Sequence, residues 1–316
     1  MNEQTVRVVE IKQLTPRIKS LRLVSANENQ LAAFSPGSHV AVAIPVEQKT
    51  KRNSYSLCSS PYKTDVYEIA VLLTENSRGG SEYLHQISVG TELKLGMPKN
   101  SFALASLARK HLLIAGGIGI TPFLSILATL NRLQIPFELH YAAESPTECA
   151  FYEFLQERYS SQIKFYFSHL NNRLDPKQIL KEQPLGTHVY LCTPPSLSED
   201  ILNTAQSLGY PDAAIHRELF GAVKSNKTKP FTAVLAQSET EIKVPKDKTL
   251  LEALEAANIP ANYSCRAGGC GACEVKVLAG EIKHLDSYYS PEERAEQDRI
   301  LACISRAKSK QLVIDI

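Results

Sequence analysis

The 316-residue chain is 43% hydrophobic and 22% charged, with a net charge of +2, seven cysteines and no tryptophan. It exceeds what one hydrophobic core sustains, about 250–300 residues, so two or three domains are expected. Near-neutral charge gives no reason to expect a nucleic acid or a membrane as partner, and neither a signal segment nor a membrane-length apolar run is present, so a soluble, cytoplasmic monomer is expected.

Up to about residue 105, short β-branched runs are punctuated by Pro, Gly and Asn, and Val6–Ile11, Ile18–Val24, Val40–Ile44 and Val66–Leu73 read as strands. Strands at this spacing, with little helical periodicity between them, predict a barrel or sandwich. Two segments here carry chemistry: Arg52–Ser56 reads RNSYS, and Arg78–Ser81 reads RGGS. A guanidinium grips phosphate bidentately, and backbone N–H groups with serine hydroxyls complete such a cradle. Tyr55 offers an aromatic face and a phenolic hydroxyl to a flavin ring. A strand tyrosine beside an arginine also occurs as plain packing, so the weight lies in both segments occurring together.

From His111 the pattern changes. HLLIAGG reads as a buried strand, TPFLSILATLNRL as an apolar-faced helix and PFELHYAA as the next strand. A helix near Cys149–Arg158, the strands IKFYFS and HVYLC, and a helix near Leu197–Leu208 follow. Strands alternating with helices predict a parallel sheet covered on both faces. Gly116, Gly117, Gly119 and Thr121 lie in the first strand-to-helix turn, AGGIGITPF. Such a turn sets free helix N–H groups against a phosphate, although a merely tight turn would look the same and the spacing is not G-x-G-x-x-G. Glu144, just past the second strand, is placed to accept from an adenosine ribose hydroxyl and to repel a 2′-phosphate, which favours NADH over NADPH. A solvated loop carboxylate is the alternative.

Val223–Pro230, VKSNKTKP, reads as a linker. TAVLAQ and EIKVP then suggest a hairpin and TLLEALEAANI a helix. The run SCRAGGCGACEV follows, with a fourth cysteine in LACISRA. Cys265, Cys270, Cys273 and Cys303 are spaced C-x4-C-x2-C, then twenty-nine residues, then C. That is the plant-type ligand pattern of a 2Fe-2S cluster. Gly268, Gly269 and Gly271 can take positive φ and let the chain wrap closely around an inorganic core. Structural zinc favours C-x2-C pairs, and a second pair is missing. The domain boundaries read as 1–105, 106–225 and 226–316.

RNSYS, RGGS, GGIGITP and a C-terminal plant-type cluster together resemble the phthalate dioxygenase reductase family, with vanillate demethylase reductases and carnitine-type oxygenase reductases as close relatives. The resemblance covers the whole chain in domain order. It implies a multidomain β and α/β protein: an antiparallel flavin-binding β-barrel, a parallel-sheet nucleotide domain of the ferredoxin reductase type, and a C-terminal β-grasp ferredoxin domain. It also implies that Arg52, Tyr55, Ser56, Arg78, Gly79, Gly80 and Ser81 hold FMN. VYLCTPP resembles the family's V-Y-x-C-G-P-P and puts Cys192 near the nicotinamide, with Thr193 in place of the usual glycine. IHRELFGA resembles the end of the nucleotide domain, which would set Phe220 near the flavin. Tyr55, Ser56, Cys192 and Phe220 are then the residues closest to the chemistry.

The implied activity is electron transfer from NADH through FMN and the cluster to a Rieske-type terminal oxygenase. A flavin belongs between the outer two because a hydride carries an electron pair and the cluster accepts one electron at a time. Arg266, beside a ligand, is a candidate for tuning the cluster potential. The Fe–S flavoprotein subunit of dihydroorotate dehydrogenase has similar parts, but its last cysteine lies much closer to the third. Reductases of diiron monooxygenases carry the ferredoxin domain first. A non-catalytic redox sensor would have no use for a nicotinamide site.

Overall fold

The computed structural model describes residues 3–27, 30–46, 49–75, 79–220, 229–286 and 288–316. Arg78 and residues 223–228 of the expected linker lie outside the described residues. The chain forms two compact units, Met1–Glu218 and Leu219–Ile316.

The first unit opens with β1 (Glu3–Thr15), β2 (Ile18–Ser25), β3 (His39–Val46), β4 (Lys49–Ser56) and β5 (Tyr67–Leu72), then α1 (Gly80–Gln86) and β6 (Glu92–Gly96). These strands form one antiparallel sheet in the order β4-β3-β6-β1-β2-β5. Alternate residues such as Val6, Val8, Leu21, Leu23, Val40, Val42 and Ile44 point to one face and build a common core. β4 and β5 are the two edges, so half of the backbone N–H and C=O groups of β4 lie outside the ladder. Gly80 and Ser81 of the RGGS segment begin helix α1, too short for its periodicity to show in the sequence.

β7 (Lys110–Gly116), α2 (Thr121–Arg132), β8 (Phe137–Ala143), α3 (Tyr152–Tyr159), β9 (Ile163–Phe167), α4 (Pro176–Lys181), β10 (Thr187–Cys192), α5 (Pro195–Ser207) and β11 (Ile215–Arg217) complete this unit. Their strands are all parallel, in the order β11-β10-β7-β8-β9. β7 is buried along nearly its whole length, as a strand covered on both faces must be. Strand order reverses between β7 and β10, and in open α/β sheets that switch point leaves a crevice at the C-terminal strand ends.

Helix α2 explains why sheet and barrel form one unit. It is buried on almost every side, with Phe123, Ile126 and Leu127 sharing a cluster with Ile18, Cys58, Ala70 and Phe102. The Gly37 N–H donates to Ser125 Oγ at 3.0 Å, and Tyr190 Oη accepts from the Ala105 N–H at 2.7 Å.

The second unit holds β12 (Phe231–Leu235), β13 (Thr240–Val244), α6 (Leu250–Ala256), β14 (Glu274–Ala279), β15 (Ile282–Lys283), α7 (Pro291–Glu296), β16 (Arg299–Leu301), β17 (Arg306–Ala307) and β18 (Gln311–Ile314). The main sheet runs β13-β12-β18-β14-β16, with β12 and β18 parallel at its centre, a β-grasp arrangement. Thr249 and Glu252 close a capping box on α6, and its Leu250, Leu251 and Leu254 are buried.

Candidate functional site

The cysteines meet because of strand register. β14 and β16 pair Glu274 with Leu301, and just beyond them the Ala302 N–H donates to the Cys273 carbonyl at 3.0 Å. Cys273 and Cys303 are thereby brought together at one sheet end. The Leu251 N–H, a free donor of the first turn of α6, holds the Ala302 carbonyl at 2.8 Å. In the loop, the Cys265 N–H points at Cys270 Sγ at 3.5 Å and the Ala267 N–H at Cys265 Sγ at 3.4 Å.

The thiols interact in two pairs, Cys265 with Cys270 and Cys273 with Cys303. A hydrogen bond from Cys270 pulls Cys265 down to about 5 against its burial, and one from Cys303 likewise lowers Cys273. The same sharing, with burial, pushes Cys270 and Cys303 up. Among the described residues no group of three or more His, Cys, Asp or Glu is placed to hold a metal ion. Four sulfurs in two pairs, with backbone N–H groups aimed at them, suit a two-iron cluster instead.

Glycines bring the walls in. Gly268 has φ +75°, and a Cβ there would fall 2.6 Å from Ile304 Cγ2; Gly271 has φ +72°, with Tyr288 Cζ 2.5 Å from such a Cβ. Gly269 is not in the left-handed region. Behind the loop the Asp286 carboxylate is fully buried. Burial pushes its pKa up, but bonds from Ser305 Oγ, the Tyr289 N–H and His284 outweigh this and hold it below the usual range. Arg266 forks onto Glu255 of α6 and stacks 3.8 Å over the Tyr263 ring, so its charge is paired. The cysteines, the glycines and Arg266 of this assembly were readable; Asp286, Tyr288 and Glu255 carry no motif.

At the sheet's switch point, Gly116 ends β7, Gly117 and Gly119 follow it, and Cys192 ends β10. A Cβ at Gly119 would lie 1.9 Å from the Cys192 carbonyl oxygen, and one at Gly116 would lie 2.5 Å from Pro194 Cδ. Those two positions let the turn press onto β10. Gly117 differs: φ is +53°, a Cβ there would meet nothing within 4 Å, and its carbonyl accepts from Tyr141 Oη at 3.0 Å. The turn therefore leaves an open space at its apex, where the sequence places the phosphate. Thr121 Oγ1 donates to the Ile118 carbonyl at 3.0 Å, which fixes its hydroxyl within its own turn.

Cys192 is buried, and burial, then Glu218, push its thiol up, so it is a neutral wall. Thr193 is not in the left-handed region, so it fits without strain where the family has glycine. Its hydroxyl pairs with Ser198 Oγ at 2.7 Å on the first turn of α5. Glu144 is exposed, beyond the end of β8, with Oε1 3.2 Å from His169 Nε2.

In the barrel, Tyr55 and Ser56 end β4, and Gly79 and Gly80 reach them across the start of α1. Gly79 has φ +93°, and a Cβ at Gly80 would lie 2.0 Å from Asn53 Nδ2. Ser56 Oγ is buried with no hydrogen-bond partner, an orphan that a ligand at this edge strand would satisfy. Ser81 Oγ lies 3.2 Å from Thr74 Oγ1. Residues of both motifs thus come together and fit a flavin cradle, with Arg52 the exception. It stands three residues before Tyr55, an odd count that sends it to the opposite strand face, where it pairs with Glu3 at 2.5 Å. Asn53, which was not singled out in the sequence, faces the cradle; counting alternation back from Tyr55 would have found it. Phe220 is exposed at the start of the second unit.

A family model described as a 2Fe-2S iron-sulfur cluster binding domain matches residues 234–308, and the dimethylamine monooxygenase subunit DmmA-like N-terminal domain matches 97–215. The chain is 43% identical to the carnitine monooxygenase reductase subunit of Escherichia coli (strain K12), over 98% of each chain. It is 40% identical to the heme-dependent oxidative N-demethylase beta subunit of Ectopseudomonas mendocina (strain ymp), again over 98% of each. Among solved structures, phthalate dioxygenase reductase matches with a TM-score of 0.79 at 31% identity, over 100% of this chain and 98% of that one. A type IV self-sufficient cytochrome P450 monooxygenase matches with a TM-score of 0.80 at 32% identity; this chain is covered to 99% but spans only 41% of that one. Matched end to end by such reductases, and carrying the paired thiols of their cluster domain, the chain belongs to the phthalate dioxygenase reductase family of oxidoreductases.

Proposed function

We propose that the protein is the NADH-dependent reductase component of a two-component oxygenase, passing electrons from NADH through FMN and a 2Fe-2S cluster to a Rieske-type terminal oxygenase. The observation that carries this reading is the pairing of the four thiols in a chain that also holds a flavin-type cradle and an open nucleotide turn. Three functional segments follow: a flavin barrel over 1–105, a nucleotide domain over 106–225 and a ferredoxin domain over 226–316. The flavin, when bound, accepts the electron pair of a hydride and releases single electrons, which the cluster can carry.

The chain's own residues bind and orient. Tyr55 presents its ring to the flavin, the Ser56 hydroxyl supplies a hydrogen bond at the ring edge, and Gly79, Gly80 and Ser81 receive the phosphate end. Gly116, Gly117 and Gly119 let the pyrophosphate of NADH approach the N-terminus of α2. Cys192, neutral and buried, forms an apolar wall for the nicotinamide and keeps water away. Glu144 accepts from the adenosine ribose and disfavours a 2′-phosphate. Anaerobic mixing with NADH tests this: flavin absorbance falls first and cluster absorbance follows. No flavin bleaching would leave a redox sensor as the better reading. With NADPH, kcat/KM falls at least tenfold, and equal values would remove Glu144 from the role.

A heme oxygenase is the second reading for the acceptor, favoured by the 40% identity to the heme-dependent N-demethylase beta subunit. Supplying the NADH-reduced protein with a Rieske oxygenase and with a heme oxygenase separates the two, since the true partner is reduced much faster.

A further inference from the structure

β15 and β17 pair Ile282 with Ala307 and Lys283 with Arg306. Followed past its end, this short antiparallel ribbon sets the segment after β15 beside the one that precedes β17, so residues 284–286 run alongside residues 303–305. Side chains then join the two. Ser305 Oγ donates to Asp286 Oδ1 at 2.7 Å and accepts from the Leu285 N–H at 3.1 Å, so one hydroxyl uses both of its functions on one segment. The Asp286 carboxylate and Ser305 are both fully buried.

Asp286 is itself held from several sides. Its Oδ2 accepts from the Tyr289 N–H at 3.2 Å, and His284 Nδ1 lies 3.2 Å from Oδ1. Arg294 Nη2 donates to the Asp286 carbonyl at 2.8 Å. A carboxylate removed from water is tolerated when its oxygens are bonded in this way, and the same bonds fix its direction. Ser305 is therefore tied to a group that cannot swing.

Cys303 stands two residues before Ser305, in a tight turn where the Ile304 and Ser305 N–H groups donate to the Leu301 carbonyl at 3.2 and 3.0 Å. Ala302 holds this turn on the side of β14 and α6, and Ser305 holds it on the other. Asp286 also backs the ligand loop: a Cβ on Gly268 would fall 3.2 Å from Asp286 Cα and 2.6 Å from Ile304 Cγ2. Gly268 lies between Cys265 and Cys270, so the loop, the turn of the fourth thiol and the Asp286 segment meet at that one glycine.

We infer that Asp286 is a positioning residue of the cluster: through Ser305 it holds the Cys303 turn in register with the loop that carries the other three thiols, and its backbone is the wall on which that loop closes. The inference rests on the cluster reading of the four cysteines. It gives a carboxylate that is not a ligand a part in setting ligand geometry, whereas a carboxylate that merely capped its own turn would serve the fold alone.

The test uses the full-length protein loaded with its cluster and four variants: Ser305→Ala, Asp286→Ala, their double, and Asp286→Asn, which keeps the shape and an oxygen for Ser305. Two readouts are taken besides turnover, the rate at which an iron chelator strips the cluster and the electron paramagnetic resonance spectrum of the reduced cluster. Removing a group that orients a metal ligand weakens metal binding about 10- to 100-fold. Ser305→Ala and Asp286→Ala are expected to lose the cluster roughly tenfold faster or more, with the same displacement of the g values. The double variant should be no more labile than the worse single, and Asp286→Asn should stay within about threefold of the wild type. A lower urea midpoint with unchanged spectrum and stripping rate would show a role in the fold alone and would overturn the inference. So would additive single effects, or an Asp286→Asn protein as labile as Asp286→Ala, which would assign the effect to charge. Should Asp286→Ala fail to fold, Ser305→Ala decides by the same rate and spectrum, and wild-type values there would overturn the inference. A wild-type protein that assembles no 2Fe-2S cluster would sink the cluster reading itself, an outcome distinct from an inert Asp286 in a protein that holds one.

Discussion

The cluster loop and the nucleotide turn are both glycine-rich, and they use glycine to opposite ends. At Gly268 and Gly271 a side chain would strike Ile304 and Tyr288, so the missing Cβ lets walls close in. At Gly117 a side chain would meet nothing within 4 Å, so the residue supplies left-handed backbone at the rim of an open space. One loop encloses and the other presents. That is the difference expected between a cofactor that stays for the life of the protein and a nucleotide that exchanges at each turnover.

Substitutions at these glycines test the contrast, and the largest effect belongs to the enclosed loop. Gly268→Ala combines φ +75° with a contact at 2.6 Å to Ile304 and one at 3.2 Å to the Asp286 backbone. The variant is expected to lose most of its iron and its visible cluster absorbance, while NADH still bleaches the flavin. Cys303→Ser gives the same phenotype by removing a ligand. Iron analysis and anaerobic spectra check both, and a Gly268→Ala protein with full iron content would mean that the loop is looser than its packing indicates. In the turn, Gly119→Ala must displace the Cys192 carbonyl, 1.9 Å from the new atom, and KM for NADH should rise tenfold or more. Gly117→Ala meets no neighbour and costs only the left-handed conformation, about 1–2 kcal/mol of stability. Equal effects of the two substitutions on KM would erase the distinction between pressed and open glycines.

The same contrast governs what could be read before the fold was known. Chemistry that resides in residue identity was legible: four cysteines, a glycine turn and alternating strands and helices from His111 onward. Chemistry that resides in a face was not. Arg52 and Asn53 differ by one position, and a period of two residues turns that single step into opposite sides of the sheet. The short helix α1 and the short strands β15, β16 and β17 carry too few residues for any periodicity to declare itself. Asp286, Tyr288 and Glu255 reach the cluster loop through tertiary packing alone. Thr193, where the resemblance expects glycine, has φ outside the left-handed region, and its hydroxyl pairs with Ser198, a partner no motif announces.

The first unit should also respond to acid through its buried histidines. Burial pushes His39, His111 and His216 each down to about 4. The unfolded chain takes up these protons near pH 6.5, whereas the folded unit resists until about pH 4. Stability is therefore full above pH 6.5 and is lost progressively as pH falls to about 4. The loss is roughly 3 kcal/mol for His39, which is nearly inaccessible to solvent. Urea midpoints followed by flavin fluorescence between pH 7 and 4.5 should fall accordingly, and His39→Gln should flatten the slope. A pH-independent midpoint in the wild type would show that these imidazoles take up protons in the folded unit as readily as in the unfolded chain.

The smallest effect concerns Arg266, where pairing changes what the sequence suggested. A cation beside a ligand should raise the cluster potential by stabilising the added electron. Arg266, however, is forked onto Glu255 and stacked on Tyr263, so the sulfurs face a cation and an anion together. Their fields largely cancel, and either partner alone should matter only when the other is uncovered. Arg266→Gln then lowers the potential by exposing Glu255, Glu255→Gln raises it by freeing the guanidinium, and the double variant returns close to wild type. Each single shift should stay under about 59 mV, the span of a tenfold change in a one-electron equilibrium. Redox titration followed by the cluster's electron paramagnetic resonance signal measures all three. A double variant that keeps the full shift of Arg266→Gln would show that the guanidinium acts on the cluster independently of its partner, and the loop would then be tuned by charge as well as by enclosure.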